Sequence, residues 1–211
     1  MDFASIVTTL KTANTYDEIS KIQEEILKLI PKATIMVNFD QQNRAHQFNL
    51  WDHCVHAVLN LPRNLEDDML YIAALLHDIG KPDCQQRGTR VNDSNMHYYG
   101  HPNRSMEIVR DAIIPGLIAQ GITLTDNQQR RLIYYVKNHD DRVSLKKKHL
   151  QRHLQIASFE EFQNLMLLQV ADAKAHVLLP IIQKRIEICN ALSGSTGKDI
   201  YQTLQEENDT T

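Results

Sequence analysis

The chain has 211 residues, of which 42% are hydrophobic, and its formal net charge is −3. This length suits one globular domain, and the small net charge argues against broad binding to nucleic acid or to a membrane surface. Its three cysteines, Cys54, Cys84 and Cys189, contain no C-x-x-C pair, so neither a disulfide framework nor a cysteine zinc site is indicated. Because we also find no signal peptide and no apolar run of the ~20 residues that span a bilayer, we expect a cytoplasmic protein.

Apolar residues recur at helical spacing along most of the chain and predict an all-α fold of about seven to nine helices. The predicted helices are, in chain order, 16–30, 50–61, 66–79, 102–117, one that begins at Thr125 and a long one that begins at Ser158. The polar stretches 39–49 and 83–98 are predicted to be loops, and we find no confident strand. The sequence therefore predicts a single domain over 1–211, with a core at about 30–185 and a frayed tail after residue 199.

Capping residues and prolines indicate several of these boundaries. Thr15, Thr125 and Ser158 each precede a Glu or Gln by three residues, which is the spacing of a capping box. Pro31 is expected to stop the first helix, and Pro180 to kink the last.

Polar groups fall on apolar faces or at helix ends at six positions: His53, His77, Asp78, His101, His139 and Asp172. Asp78 follows the apolar run AALL, where an ionised carboxylate is costly unless it is paired or binds a metal. His77 and Asp78 lie at a helix end and can converge on one point. Imidazole and carboxylate together suit a divalent transition metal, and Lys81 adds a cation one turn away that could hold a phosphate oxygen.

The order H…HD…H…H…D resembles the HD-domain phosphohydrolase superfamily, and HDIGK, residues 77–81, is a common form of its central motif. Residues 31–53 (PKATIMVNFDQQNRAHQFNLWDH) and 98–105 (YYGHPNRS) are also similar to the HD domain attached to bacterial tRNA nucleotidyltransferases. The resemblance covers about residues 30–185. Since 211 residues leave no room for a nucleotidyltransferase domain, we expect a free-standing HD protein, an HD-domain helical bundle.

The resemblance implies a set of metal ligands. The ligands of one metal correspond to His53, His77, Asp78 and Asp172. His101 and His139 correspond to the additional histidines of family members that hold two metals, in which the aspartate equivalent to Asp78 bridges the pair. The same two histidines can instead face the substrate around a single metal. We therefore expect one or two divalent metals per chain, from among Mn, Fe, Ni, Co and Zn, with Mg also compatible.

The implied reaction is hydrolysis of a phosphomonoester or a (cyclic) phosphodiester by a metal-activated water, and the expected substrate is a nucleotide. The residues assigned to catalysis are Asp78, Lys81, His101 and His139. Lys81 would neutralise phosphoryl charge, and His101 or His139 would protonate the leaving oxygen in the one-metal version. Substrate contacts are predicted for Lys81, Arg104 and His46. The expected partner is a small phosphorylated substrate, and the sequence does not indicate an oligomeric state.

Other polar residues near these positions have weaker patterns. Three aspartates are candidates to orient ligand imidazoles, although a solvated position is the favoured interpretation; they are Asp52, Asp140 and Asp141. His56 is interpreted as a packing or surface residue. No pattern supports a role for four further histidines, His97, His149, His153 and His176.

Three alternative functions stay open. Nucleoside triphosphate or dinucleotide polyphosphate hydrolysis would require a run of basic residues, and the contributors are few: Lys81, Arg87, Arg90 and Arg104. A non-catalytic metal- or nucleotide-sensing module is the alternative from another class, but all six ligand positions are intact. The basic segment 146–152 is compatible with RNA binding, although the acidic net charge argues against it and a solvated helix face is favoured.

Overall fold

A computed structural model describes residues 1–89, 93–142, 147–194, 197–200 and 202, and twelve α-helices contain most of them. The helices are α1 (Phe3–Thr12), α2 (Tyr16–Ser20), α3 (Gln23–Leu29), α4 (Leu50–Asn60), α5 (Asp68–Leu76), α6 (Lys81–Cys84), α7 (His101–Ile108), α8 (Ile114–Ala119), α9 (Asp126–Asn138), α10 (Lys147–Leu154), α11 (Phe159–Lys174) and α12 (Pro180–Ser193). The predicted all-α class is confirmed, and nine of the twelve helices are long.

The core is built around α5. Every residue from Met69 to Leu76 is buried, because α1, α4, α9 and α11 all contact this helix. The helical spacing of apolar residues predicts that only one face of this helix is buried. The structure buries all of its faces, as is typical of a central helix. Its C-terminal end lies inside the bundle, and the chain places its unusual polar residues there.

Side chains before the first turn fix the start of several helices. The capping boxes predicted at Thr125 and Ser158 both form, and they begin α9 and α11. At Thr15 the predicted box does not form: the hydroxyl donates to the carboxylate of Glu18 (2.9 Å) instead of accepting a backbone N–H.

The N-terminal region differs from the single helix predicted over 16–30. The chain there forms α2 and α3, separated by Lys21 and Ile22, and the helix α1 precedes them. Threonines occupy three of the ten positions of α1 and lower its intrinsic helix propensity. Burial of Ile6 and Leu10 against the core stabilises α1 instead, and this packing could not be predicted from the local sequence.

Two further predictions at helix boundaries are corrected. Pro180 does not kink a long helix, because α11 already ends at Lys174 and Pro180 is the first residue of α12, where a missing N–H costs nothing. The helix predicted over 102–117 forms α7 and α8, with a π-helical segment, Val109–Ile113, between them. A six-residue 3₁₀ helix, Pro31–Met36, follows α3.

The stretch 83–98 is not purely irregular. It contains two short antiparallel strands, β1 (Gln86–Arg87) and β2 (Met96–His97), with Gln86 opposite His97. The absence of strands predicted from the sequence is therefore wrong at this point. Arg90, Lys146 and the tail at 203–211 lie outside the described residues. Among the helices that the structure describes, none has the length and apolar character needed to cross a membrane.

Candidate metal centre and its cavity

Five helices bring the six predicted ligand side chains to one point beside the end of α5. His53 belongs to α4, His77 caps α5 and Asp78 follows it, His101 begins α7, His139 caps α9, and Asp172 lies near the end of α11. They form two groups that share Asp78.

The inner cluster consists of His53, His77, Asp78 and Asp172, whose side chains are at most 5% exposed. Its two imidazole Nε2 atoms face the same carboxylate oxygens. His53 Nε2 lies 3.0 Å from Asp172 Oδ1 and 3.4 Å from Asp78 Oδ2. His77 Nε2 lies 3.2 Å from Asp78 Oδ2 and 3.5 Å from Asp172 Oδ1.

The outer cluster consists of Asp78, His101 and His139. The Nε2 atoms of His101 and His139 lie 3.0 and 3.2 Å from Asp78 Oδ1, and 3.2 Å from each other. Asp78 thus directs Oδ2 to the inner cluster and Oδ1 to the outer one. This is the arrangement of a carboxylate that can bridge two metal ions.

Both clusters fit a divalent transition metal. Bonds of about 2.0–2.2 Å to nitrogen and oxygen place neighbouring ligand atoms about 2.8–3.6 Å apart in tetrahedral or octahedral geometry. The distances given above, from 3.0 to 3.5 Å, lie in this range. His77 Nε2 and Asp78 Oδ1 are fully buried and have no hydrogen-bond partner within the described residues. Buried polar atoms without partners are costly, so an ion that they ligate would remove a real penalty.

Backbone carbonyls orient most of the ligand imidazoles. The Nδ1 atoms of His77, His101 and His139 lie 2.8, 2.7 and 2.7 Å from the carbonyl oxygens of Ala74, Tyr98 and Val136. Nδ1–H donation to a carbonyl leaves Nε2 free to bind a metal.

The three aspartates considered for this orienting role form hydrogen bonds elsewhere. Asp52 accepts from Tyr16 and Asn49, and Asp141 pairs with Arg152. The third, Asp140, pairs with Arg185 at 3.1 Å. The favoured interpretation, that they are ordinary polar residues, agrees with these contacts.

Charge is balanced inside the clusters. Burial opposes ionisation of Asp78, but Lys81 and His77 hold the pKa of Asp78 well below its ordinary value. Burial likewise opposes ionisation of Asp172, and neighbouring histidines keep its pKa low. Burial lowers the pKa of His139, so it favours the neutral imidazole that binds metals.

Lys81 is a buried cation beside the two clusters. Its Nζ lies 2.6 Å from Asp78 Oδ2, donates to Gln41 Oε1 at 2.8 Å and lies 3.4 Å from His46 Nε2. Burial, followed by the charge of Lys81, lowers the pKa of His46. The structure therefore brings Lys81 and His46 to the metal centre, and adds Gln41, which the sequence interpretation did not assign.

Gly80 sets the distance between α6 and α7. A Cβ atom at this position would lie 2.5 Å from the backbone nitrogen of Ser105 and 2.9 Å from the backbone of Arg104. The Gly80 N–H donates to Ser105 Oγ at 2.9 Å. The α7 backbone can approach this closely only because residue 80 has no side chain.

Two residues at the centre had no signal in the sequence. His176 lies 3.5 Å from Asp172 Oδ1 through Nδ1 and forms an antiparallel bridge with His46. With His46 and His53 it makes a third group of closely spaced ligand atoms. Arg185, from α12, donates to the His139 carbonyl at 2.6 Å and lies 3.7 Å from Asp172 Oδ2.

The clusters open into a cavity of about 340 Å3, called here the catalytic cavity. Predicted residues that line it include Lys81, His46, His101 and His139. Arg104 is not among its lining residues within the described chain. Its side chain is 44% exposed and pairs with Asp83 (2.7 Å) and Glu107 (3.1 Å). The structure thus does not place Arg104 with the other predicted substrate contacts.

Residues 44–175, more than half of the chain, match the sequence profile of the HD domain family, and the chain belongs to this family. Its members are mostly metal-dependent phosphohydrolases. No curated protein and no solved structure matches the chain. The similarity to the HD domain of bacterial tRNA nucleotidyltransferases therefore stays a prediction.

Proposed function

We propose that the protein is a metal-dependent phosphohydrolase that cleaves a phosphomonoester or a (cyclic) phosphodiester, with a small nucleotide as its substrate in the cytoplasm. The observation that carries the proposal is the position of Asp78. One buried carboxylate directs each of its oxygens to a separate set of ligands, and the outer set opens into the catalytic cavity.

The inner cluster would hold the first divalent metal, and the outer cluster either a second metal or the substrate phosphate. A divalent metal in such a site supplies an activated water at neutral pH and neutralises phosphoryl charge. The protein holds its ligands in place beforehand, because carbonyl hydrogen bonds orient three of the imidazoles. Preorganised groups of this kind need little rearrangement when charge develops.

Lys81 would contact a phosphoryl oxygen. Its ammonium group lies at the wall of the catalytic cavity, where Gln41 and Asp78 fix its position. A cation held in a site with little water stabilises developing negative charge more strongly than one in solvent. His101, whose side chain is 12% exposed, is the outer ligand best placed to donate a proton to the leaving oxygen if only one metal binds.

We favour an enzyme over a non-catalytic sensing module because all six predicted ligand positions hold suitable residues and their side chains converge. A polyphosphate substrate would call for several cations in the cavity. Arg87 and Arg104 do not line it within the described residues. Of the cations that do, Lys81 and Arg185 are already paired with Asp78 and Asp140, which leaves Arg142. These contacts favour a short phosphate.

The test is metal analysis of the purified protein, followed by phosphate release from a panel of esters with Mn or Ni. The panel contains AMP, 2′,3′-cyclic AMP and bis-p-nitrophenyl phosphate, and Asp78→Asn provides the matched control. Turnover by the wild type and none by the control is expected. Protein that carries at least one metal per chain and hydrolyses no ester of the panel would contradict the proposal.

A further inference from the structure

A second cavity, of about 390 Å3, adjoins the catalytic cavity and is called here the α12 cavity. The two cavities share four lining residues, Asp140, Arg142, His176 and Arg185. A ligand that reaches the metal centre can therefore extend into the α12 cavity without leaving the protein surface. No role has been assigned to this second space.

The α12 cavity has an apolar patch in a wall that also contains polar and charged side chains. Ile181, Ile182 and Ile188 line it from α12, and Ala45 lines it from the loop before α4. Ile181 is 67% exposed, and neither it nor Ile182 belongs to the hydrophobic core of the described chain. An exposed isoleucine beside a polar reaction centre adds little to the stability of the fold, and it offers apolar surface to a ligand.

Arg185 forms the boundary between the two cavities. Its guanidinium donates to the His139 carbonyl (2.6 Å) and to Asp140 (3.1 Å), which holds it beside the ligand Asp172. Ala45, which also lines the α12 cavity, accepts a hydrogen bond from Val177 N (2.9 Å), which fixes the loop before α4. Hydrogen bonds therefore fix the positions of Arg185 and of Ala45, which line the α12 cavity.

We propose that the α12 cavity binds the organic group of the phosphate ester, and that this group is a ring system of nucleoside size. The inference rests on the proposed function for the position of the phosphate. With the phosphate at the metal centre, the ring would pass His176 and Arg185 and pack on Ile181 and Ile182. The volume lies in the range of pockets that enclose small organic ligands. Esters that carry a ring are then preferred over small polar esters.

The deciding experiment measures adenosine and ribose binding to the protein as purified, by equilibrium dialysis, since neither compound can be hydrolysed at phosphorus. Wild-type protein is expected to bind adenosine about tenfold or more tightly than ribose, because only adenosine buries a ring. Ile182→Trp fills the cavity and is expected to remove this preference. Leu178→Trp is the matched control, because Leu178 is 53% exposed and lines neither cavity in the described structure.

Ile182→Asn provides a second variant that keeps the cavity open and makes its wall polar, and it should weaken adenosine binding about fivefold. In turnover, Ile182→Trp should lower kcat/KM for AMP at least tenfold and change that for ribose 5-phosphate less than twofold. Equal binding of adenosine by wild type and Ile182→Trp, or no preference over ribose, would overturn the inference. If no ester is hydrolysed but Ile182→Trp removes the preference for adenosine, the proposed function is wrong and the inference that the α12 cavity binds a ring is supported.

Discussion

The inner and outer clusters share one carboxylate but differ in what holds them. The inner ligands project from α4, α5 and α11, which pack against one another in the core, and their side chains are at most 5% exposed. The outer ligands begin α7 and cap α9, and they line the catalytic cavity. His101, the most exposed of the six, belongs to this outer group.

This difference indicates a division of labour. Core packing shapes the inner cluster whether or not a metal is bound, because moving its ligands would open the core around α5. The outer cluster meets both solvent and substrate, and its geometry depends on how closely α7 approaches. We therefore expect the inner cluster to set metal affinity and the outer cluster to set turnover.

The largest expected effect comes from Asp78→Asn, which should disable both clusters because Asp78 belongs to each. Among the described residues it removes the one carboxylate that belongs to both clusters, so metal content should fall to near zero and kcat by about 10⁴-fold or more. Elemental analysis and phosphate release measure the two effects, and circular dichroism reports on the fold. Metal retained at the wild-type level would show that Asp78 is not a shared ligand.

Paired variants of the two clusters provide the sharpest test of the division. His53→Gln should lose most of the bound metal, whereas His101→Gln should keep at least one equivalent and lose turnover by about 10²–10³-fold. The two variants are purified in parallel, and their metal content and kcat are compared by elemental analysis and phosphate release. If the two variants lose metal equally, the clusters act as a single site, and the assignment of metal affinity to the inner cluster and turnover to the outer one is wrong.

Lys81→Met should leave the metal in place and lower kcat by about 10²-fold, since it removes a phosphoryl contact and no metal ligand. The substitution also removes the ion pair with Asp78 at 2.6 Å, so the fold is checked by thermal unfolding. Loss of metal from this variant would contradict the proposed role of Lys81.

The smallest effect concerns stability. A metal at about a hundredfold over its Kd stabilises the folded state by about 2.7 kcal/mol, which for a chain of this size corresponds to a rise in Tm of about 5–10 °C. We expect Mn added to chelator-treated protein to give this rise in the wild type and in His101→Gln, but not in His53→Gln. Scanning calorimetry measures it, and a full rise in His53→Gln would place the tighter site in the outer cluster.

The two clusters also show what the sequence allowed us to predict. The six side chains that converge here were all singled out, because a charged residue after AALL and histidines at helix ends are visible as departures from the local pattern. His176 and Arg185 were missed because their proximity to Asp172 depends on the turn after α11 and on the packing of α12. Both depend on tertiary contacts that periodicity does not report.

The fold was predictable to a similar degree. The capping boxes at Thr125 and Ser158 formed, because their geometry is decided within four residues. The break at 21–22 and the position of Pro180 were not foreseen, because the same residues suit both a continuous helix and a helix start. Packing between helices decides between such alternatives: α2 packs against α1 and α4, and α12 packs against α11.

Gly80 gives the motif HDIGK a meaning beyond ligation. The close approach of Ser105 and Arg104 leaves no room for even a methyl group. A side chain there would push α7 outward and carry His101 away from Asp78, while His53 and His77 stayed in the core. We therefore expect the missing side chain at Gly80 to keep His101 within reach of Asp78, so that a larger residue at this position would open the outer cluster without changing any of the six predicted ligands.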